Sequence, residues 1–243
     1  MSATDDMTYS DAIEAVMANN NYFAPLKLLY KEIWKYKNRS KIVGKTVNNT
    51  IQERVQRDKR FIKIGLGVYA LADKIHLLEK SAVPTNDKDR AKTRHIEMQG
   101  MLLETGNSKN DVEETYTNDK KCAFNNKSLG SLATLKTVPP FTYEKIVKES
   151  VSFMDVVWFN QRGFPSKAFE VESSTNFRDA FVKFMELQDF ITEFCCVSPL
   201  ERKTKFDREL DKTAFLPIRN RVRFLSYEAI ESDYKHSLER THI

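Results

Sequence analysis

The first 80 residues show helical periodicity that gives way to strand-like segments. Apolar positions three to four residues apart predict three helices, within residues 8–20, 24–38 and 44–58. The following segment, RFIKIGLGVYALAD, contains two β-type runs joined through Gly65-Leu66-Gly67, which predicts a hairpin. Three helices followed by a hairpin is the element order of a winged helix-turn-helix, which we expect over residues 1–80.

The rest of the chain mixes helical and strand-like segments. The polar stretch 81–92 contains one proline and predicts a linker, followed by a second domain over 93–243. That domain begins with a helix, a strand near 113–117 and another helix. Four strands follow, FMDVVWF, KAFEVES, EFCCVS and RVRFLSYEAI, with helices on either side of EFCCVS. This order predicts an α/β fold of the α+β type, with a mixed central sheet flanked by helices.

Positive charge is concentrated in the predicted first domain. The chain has 243 residues and a formal net charge of +5. Residues 26–63 contain twelve Lys or Arg against three acids, a balance of +9, so the remaining residues sum to −4. A basic lobe attached to a mildly acidic body suggests a polyanionic partner, such as double-stranded DNA.

Composition argues against a membrane protein and against a disulfide-rich protein. The apolar runs are far shorter than the roughly 18 residues of a membrane span, and no secretory leader is recognisable. Cys122, Cys195 and Cys196 are odd in number and two are adjacent, which fits neither a disulfide framework nor zinc-ligand spacing. We therefore expect a reduced, cytoplasmic protein with no membrane partner.

An acidic pair occupies one face of a predicted strand. In AFEVESST, Phe169 and Val171 would face one way and Glu170 and Glu172 the other, since side chains alternate along a strand. Asp155, on the preceding strand, would lie across from that pair. Three carboxylates so close together repel one another unless a cation neutralises them, and oxygen ligands select hard ions such as Mg²⁺. The alternative is an ordinary strand with a solvated acidic face.

These acids resemble the PD-(D/E)xK motif of type II restriction endonucleases, in its E-x-E variant. Asp155 and Glu170 match the two acids of that motif, and Glu172 stands where most members have lysine. The segments HIEMQGMLLETG, DVVWF, AFEVESST and ERKTKF…L…TAF also resemble, in order and spacing, a bacterial restriction-endonuclease-like family over about residues 93–228. The resemblance implies that Asp155 and Glu170 hold Mg²⁺, and that Glu172 is a further ligand or the general base.

The resemblance also points to residues outside the strands. The first helix of this fold commonly contributes an acid to the site, and Glu97 is the matching position. A solvated helix glutamate is the alternative for Glu97, and His95 is expected to be structural. Gln99 is expected to brace the site. Lys183 is a candidate for the missing ammonium group or else an ordinary surface lysine.

The third predicted helix carries polar side chains that suit DNA contacts. Its apolar positions Val47, Ile51 and Val55 would face the core and leave the polar ones outward. With one lysine of the hairpin, the predicted DNA-binding set is Lys45, Asn48, Asn49, Gln52, Arg54 and Lys63. The ending F-x-x-x-G-x-G-x-Y-x-L resembles the wing of the HARE-HTH type of winged helix, which occurs fused to restriction enzymes. The alternative is a winged helix used for protein contacts.

Together these features predict a prokaryotic, Mg²⁺-dependent type II restriction endonuclease that cuts double-stranded DNA at a specific sequence. Cutting both strands needs two sites, so we expect a homodimer, at least on DNA. Two alternatives remain open: a DNA-binding regulator with an inactive nuclease-like half, and a structure-selective DNA repair nuclease. A winged helix could also read modified bases, so cleavage could be blocked by base methylation or depend on it.

Overall fold

Three helices and a small sheet form the N-terminal lobe, by which we mean the described residues up to Ser81. The computed structural model describes residues 6–39, 46–81, 83–172 and 176–240. The helices of this lobe are α1 (Tyr9–Ala18), α2 (Leu26–Glu32) and α3 (Val47–Arg57). Its strands are β1 (Phe23–Pro25), β2 (Phe61–Gly65) and β3 (Val68–Leu71), and they pair in the order β1-β3-β2.

The local structure of this lobe follows from its sequence. Thr8 caps α1 by accepting a hydrogen bond from the backbone N–H of Asp11. Strands β2 and β3 form the predicted antiparallel hairpin, which turns through Gly67 at a φ of +64°, a conformation that favours glycine. The three predicted helices are present, and strand β1 is an element that the sequence pattern does not predict.

The C-terminal lobe comprises the described residues from Val83 onward. Its helices are α4 (Asp87–Ser108), α5 (Leu129–Leu132), α6 (Glu144–Glu149), α7 (Phe177–Met185), α8 (Lys203–Leu210) and α9 (Tyr227–Arg240). Its strands are β4 (Glu114–Thr117), β5 (Ala123–Phe124), β6 (Lys127–Ser128), β7 (Val156–Phe159), β8 (Pro165–Val171), β9 (Glu193–Ser198) and β10 (Val222–Ser226).

Five of these strands form a central sheet in the order β10-β9-β8-β7-β4. Strands β4, β7 and β8 pair antiparallel, and Val156 of β7 lies opposite Phe169 of β8. Strands β8, β9 and β10 pair parallel. A mixed sheet with helices packed against it confirms the predicted α+β fold class.

Apolar side chains from alternate strand positions fill one core on each face of the sheet. Phe169 and Val171 point to the core that also contains side chains of α4 and α9. Ala168 points to the opposite core, which contains side chains of α7 and α8. Glu170 has the same parity as Ala168, so the alternation predicted for this strand is correct.

The predicted strand FMDVVWF begins only at Val156, so Asp155 lies just before it, and two further segments differ from the prediction at helix starts. The stretch 81–92, predicted as a linker, is helical from Asp87 onward, because Asn86 caps the helix by accepting from the N–H of Asp89. The last predicted strand ends at Ser226, and helix α9 follows, with the Ser226 hydroxyl accepting from the N–H of Ala229. In both cases a side-chain cap starts a helix that apolar periodicity alone does not delimit.

Two findings concern the expectation of a reduced protein without membrane-spanning helices. Cys122, Cys195 and Cys196 are all free thiols. Among the helices of the four described ranges, none is both long and apolar enough to cross a membrane.

A buried ion pair joins the two lobes. Glu104 of α4 is fully buried, and its Oε2 accepts hydrogen bonds from the N–H of Leu66 at 2.7 Å and from the hydroxyl of Tyr234 at 2.8 Å. Lys127 is buried with it: its Nζ lies 3.2 Å from Glu104 Oε1 and donates to the carbonyl of Ile64 at 3.0 Å. These contacts fix the hairpin of the N-terminal lobe against α4.

Replacing Lys127 with methionine should therefore destabilise the protein. The substitution leaves the Glu104 carboxylate buried without its cation, and breaking a buried pair from one side costs about 3–5 kcal/mol. We expect a loss of that order in the free energy of unfolding measured with urea. The double variant Glu104→Gln/Lys127→Met removes both charges and should lose less.

The control for this prediction is Lys121→Met, at an exposed position six residues earlier. It should change the free energy of unfolding by less than about 0.5 kcal/mol. A Lys127→Met variant as stable as this control would show that the ion pair does not hold the lobes together.

Candidate active site

Two acidic side chains lie at one end of the β7–β8 hairpin. Asp155 immediately precedes β7, and its Oδ2 accepts a 2.7 Å hydrogen bond from the backbone N–H of Val171. Glu170 is the penultimate residue of β8. Both are buried, with 7% and 2% of their surface exposed, respectively. Antiparallel pairing thus brings together the two acids that the sequence predicts as metal ligands.

Glu170 is paired with a lysine from the neighbouring helix α7. Lys183 Nζ lies 2.6 Å from Glu170 Oε2 and also donates to the carbonyl of Phe153 at 3.1 Å. Within the described part of the chain, Glu170 Oε1 is buried without a hydrogen-bond partner. Lys183 is therefore not an ordinary surface lysine, and Glu170 keeps one oxygen for a further ligand.

The negative charge around Glu170 is only partly compensated. Burial, followed by the nearby Asp155 carboxylate, raises the pKa of Glu170 to about 8, although Lys183 opposes the shift. Burial lowers the pKa of Lys183, but the neighbouring carboxylates, Glu170 first among them, outweigh burial and raise it. The single ammonium group of Lys183 thus compensates the charge of more than one carboxylate in a poorly solvated site.

Glu172 follows directly after β8 and continues its pairing with β9. Its N–H donates to the carbonyl of Val197 at 2.8 Å, and its own carbonyl accepts from the Ser198 hydroxyl at 2.7 Å. Its side chain is partly exposed, and its charge contributes to the raised pKa of Glu170. Glu172 is therefore a more solvated member of the same acidic group.

Helix α4 brings a histidine to the other oxygen of Asp155. His95 Nε2 lies 3.4 Å from Asp155 Oδ1 and 3.6 Å from Oδ2 of Asp119, a residue just after β4. Gln99, one helical turn after His95, places its Nε2 2.9 Å from Asp119 Oδ2 and 3.0 Å from His95 Nε2. One possible ligand atom from each of His95, Asp119 and Asp155 lies within 4.8 Å of the others, so the three could hold a metal ion.

The imidazole of His95 is held in its charged form by these acids. Burial alone would lower the pKa of His95, but the side chains of Asp119 and Asp155 outweigh burial and raise it to about 10. In turn, contact with His95 lowers the pKa of Asp119. In the metal-free protein near neutral pH, His95 is thus a positive charge on one side of Asp155, while Lys183 supplies one beside Glu170.

The structure does not bring Glu97 into this group. The Glu97 carboxylate forms a 3.0 Å ion pair with Arg94, which also pairs with Glu231 of α9. Successive helix residues are about 100° apart, so Glu97 points almost directly away from the side of α4 that carries His95. The helix residue that reaches Asp155 is therefore His95, whereas Gln99 braces the cluster as expected.

Asp119 is a site residue that the sequence reasoning misses. It lies far from Asp155 along the chain and follows an edge strand, where an isolated acid has no distinctive pattern. The H-x-x-x-Q spacing of His95 and Gln99 is the one available indication, because residues four apart share a helix face.

The polar face of α3 opens into a groove between the lobes. Asn48 and Gln52 are exposed and line this groove, which has a volume of about 720 Å³. Tyr30 and Trp34 line the same space, and residues 107–110 and 112–114 form the wall from the C-terminal lobe. Two of the predicted DNA-binding amides thus lie beside residues of both lobes.

The other predicted DNA-binding residues lie elsewhere. Arg54 is exposed on another side of α3, beside a second groove that is also lined by Tyr9 and Arg60. Asn49 is exposed, and Lys63 in β2 is partly exposed. Lys45 lies outside the described residues. The predicted set is therefore divided between at least two surfaces of the lobe.

A family model described as the type II restriction enzyme NmeDI C-terminal domain matches residues 77–241, which is more than half of the chain. The chain belongs to this family. The NmeDI C-terminal domain match includes Asp155, Glu170, His95 and Asp119, and it contains the stretch 93–228 on which the sequence resemblance rests. It supports the prediction of a type II restriction endonuclease. No curated protein matches the chain, and no solved structure does.

Ionisation of Glu170 should weaken the metal-free fold as the pH rises. The folded pKa of about 8 lies above the ordinary value of 4.5, so the folded protein keeps a proton that the unfolded chain releases. The resulting stabilisation is fully present below about pH 4.5 and is lost as the pH rises toward about 8. We expect the difference in free energy of unfolding, wild type minus Glu170→Gln, to fall by at least about 2 kcal/mol over that range.

Urea unfolding in EDTA at about pH 5 and about pH 8 measures this difference. The exposed Glu186→Gln on the same part of the chain is the control, and its difference from wild type should stay nearly constant. A wild-type minus Glu170→Gln difference that is constant or grows with pH would contradict the raised pKa.

Proposed function

We propose that the chain is a Mg²⁺-dependent type II restriction endonuclease, which hydrolyses phosphodiester bonds of double-stranded DNA at a specific sequence. The observation that carries this proposal is the pair of buried acids, Asp155 and Glu170, at one end of two neighbouring strands. Family membership supports the class of enzyme. The unpartnered Oε1 of Glu170, within the described residues, supports a cation as the missing partner.

The residues present suit Mg²⁺. This ion takes one or two carboxylates and leaves its other positions to water and to phosphate oxygens, which matches Asp155 and Glu170. When bound, Mg²⁺ polarises the scissile phosphate and lowers the pKa of the attacking water. The N–H of Val171 holds Asp155 in place before any ion binds, so this side of the site is already organised.

Lys183 and Glu172 together take the two roles of the lysine found in most related motifs, namely positive charge and general base. The Lys183 ammonium, fixed by Glu170 and by the carbonyl of Phe153, supplies positive charge where the phosphate gains negative charge. Glu172 is more exposed and accepts a proton from the attacking water as general base. The acid and the cation thus come from different elements, β8 and α7.

The N-terminal lobe binds the DNA as a winged helix with α3 as its recognition helix. The exposed amides Asn48, Asn49 and Gln52 suit base edges, and the cations Arg54 and Lys63 suit phosphates. Lys45 completes the predicted set. The ion pair between Glu104 and Lys127 keeps this reading surface at a fixed position relative to the acids.

A duplex has two strands to cut, so two copies of the chain act together on DNA. A homodimer with twofold symmetry matches a symmetric recognition sequence and presents one site to each strand. The enzyme acts in the cytoplasm of a prokaryotic cell, where foreign DNA enters.

Cleavage of mixed-sequence duplex DNA with Mg²⁺, compared with EDTA, tests this function directly. We expect discrete fragments with Mg²⁺ and none with EDTA. Asp155→Asn should abolish cutting, because it removes a ligand charge while keeping the side chain's shape. Glu172→Gln should slow cutting by at least about 10²-fold, the low end for a positioned acid–base group. Rates are measured at saturating Mg²⁺, with the fold checked by circular dichroism.

Glu97→Gln is the matched control, since Glu97 pairs with Arg94 away from the acids. It should cut within a few-fold of wild type. Normal cleavage by Asp155→Asn would refute the active-site assignment. If Glu172→Gln cuts normally and Asp155→Asn does not, only the role of Glu172 as general base is refuted.

Binding to DNA should depend on Arg54. In an Asp155→Asn background, Arg54→Ala should weaken binding and reduce the magnitude of the log–log salt slope by about 0.9, since one phosphate contact disappears. Fluorescence anisotropy at several salt concentrations measures the slope. Lys235→Ala, an exposed cation on α9, is the control and should leave the slope unchanged. Equal slopes for the two variants would count against α3 as the DNA-reading helix.

A further inference from the structure

The cluster of His95, Asp119 and Gln99 has no role in the proposed chemistry of Glu170 and Lys183. It nevertheless converges on Asp155 from the opposite side, with His95 Nε2 3.4 Å from Asp155 Oδ1 and 3.6 Å from Asp119 Oδ2. These separations are longer than a good hydrogen bond between a ring nitrogen and an oxygen, which is about 2.7–3.2 Å. The ring therefore lies near both carboxylates without bonding closely to either.

With Asp119 and Asp155 both ionised, no placement of protons on His95 and Gln99 satisfies every contact in this cluster. Gln99 Nε2, a donor, lies 3.0 Å from His95 Nε2, so a protonated His95 Nε2 sets two donors against each other. An unprotonated His95 Nε2 instead directs its lone pair at the oxygens of Asp155 and Asp119. If the amide oxygen and nitrogen of Gln99 are exchanged, the Gln99 oxygen lies 2.9 Å from the Asp119 carboxylate oxygen, and both atoms are acceptors.

A cation among the three ligand atoms resolves the conflict. The lone pair of His95 Nε2 would then point at the cation, and Gln99 would need to donate only to Asp119. Ligand atoms around an ion with bonds of about 2.1 Å lie roughly 3.0–3.5 Å apart. The two distances from His95 Nε2, 3.4 and 3.6 Å, are close to that range, and all three ligand atoms lie within 4.8 Å of one another. The Asp119 side chain is 39% exposed, which leaves a path for entry.

We propose that His95, Asp119 and Asp155 form a second cation site, which prefers a transition metal ion such as Mn²⁺ over Mg²⁺. The reason is the ligand set, because an imidazole nitrogen favours transition metals whereas Mg²⁺ prefers oxygen alone. Asp155 serves both sites, one oxygen being held by Val171 and the other facing His95. Gln99 is a positioning residue that orients Asp119. The catalytic meaning of this site rests on the proposed function, but metal binding can be measured without cleavage.

The test is a Mn²⁺ titration of the metal-free full-length protein, followed by the electron paramagnetic resonance signal of free Mn²⁺. His95→Asn should weaken Mn²⁺ binding at least ten-fold, and Asp119→Asn should do the same. The Mg²⁺ affinity, measured by competition, should change by less than about three-fold in His95→Asn. The ratio of the two affinities is the readout that a merely structural histidine would not alter.

His236→Asn, an exposed histidine on α9, is the matched control and should bind Mn²⁺ as the wild type does. The Glu170→Gln variant should still bind Mn²⁺, and this binding should still be weakened by His95→Asn. The proposal is overturned if His95→Asn and Asp119→Asn bind Mn²⁺ with wild-type affinity, or if both metals weaken equally. It is also overturned if Glu170→Gln alone abolishes tight Mn²⁺ binding.

The outcomes separate this site from the proposed nuclease function. Mn²⁺ binding that depends on His95, without DNA cleavage in either metal, would support the site and refute the nuclease. DNA cleavage with Mg²⁺, together with a Mn²⁺ affinity that is unchanged in His95→Asn, would refute the second cation site and leave the proposed nuclease function standing.

Discussion

Buried negative charge needs a compensating positive charge, and this requirement shapes the molecule at two places. At the junction of the lobes, the Glu104 carboxylate receives a lysine, a backbone N–H and a tyrosine hydroxyl, all from the chain itself. At the β7–β8 hairpin, Asp155 and Glu170 have Lys183 and His95 nearby, yet one oxygen of Glu170 has no partner among the described residues. Among the described residues neither Glu104 Oε1 nor Glu170 Oε1 accepts a hydrogen bond, but Glu104 Oε1 lies 3.2 Å from the Lys127 ammonium, whereas the ion pair of Glu170 is made through its other oxygen.

Helix α4 connects these two places. Its middle turns carry His95 and Gln99 toward Asp119 and Asp155, and Glu104, nearer its end, contacts the backbone of the N-terminal lobe. The indole of Trp158, in β7, donates to the carbonyl of Leu102 and ties the same helix to the central sheet. In the proposed function, α4 would hold the DNA-binding surface of the N-terminal lobe at a fixed separation from the acids. Such an arrangement suits an enzyme that cuts at a defined position.

Much of the fold and the proximity of Asp155 to Glu170 could be predicted from sequence because they depend on local periodicity. The two-residue period of FEV places Phe169 and Val171 on one face and Glu170 on the other, and the short turn pairs β8 with β7. Asp119 could not be found in this way, because only tertiary pairing of an edge strand brings it to Asp155. Glu97 was placed by analogy, although the 3.6-residue period of α4 sets His95, not Glu97, toward the sheet. Likewise, the groove beside Asn48 and Gln52 depends on how the lobes pack, which periodicity does not specify.

The claim that these acids hold a cation is tested most directly by crystals of the protein soaked in Mn²⁺ and examined by anomalous diffraction. We expect a Mn²⁺ peak at bonding distance, about 2.2 Å, from the carboxylate of Asp155. Well-ordered density in which Glu170 stays paired with Lys183, His95 stays beside Asp155, and Mn²⁺ peaks occur only elsewhere on the surface would contradict the claim.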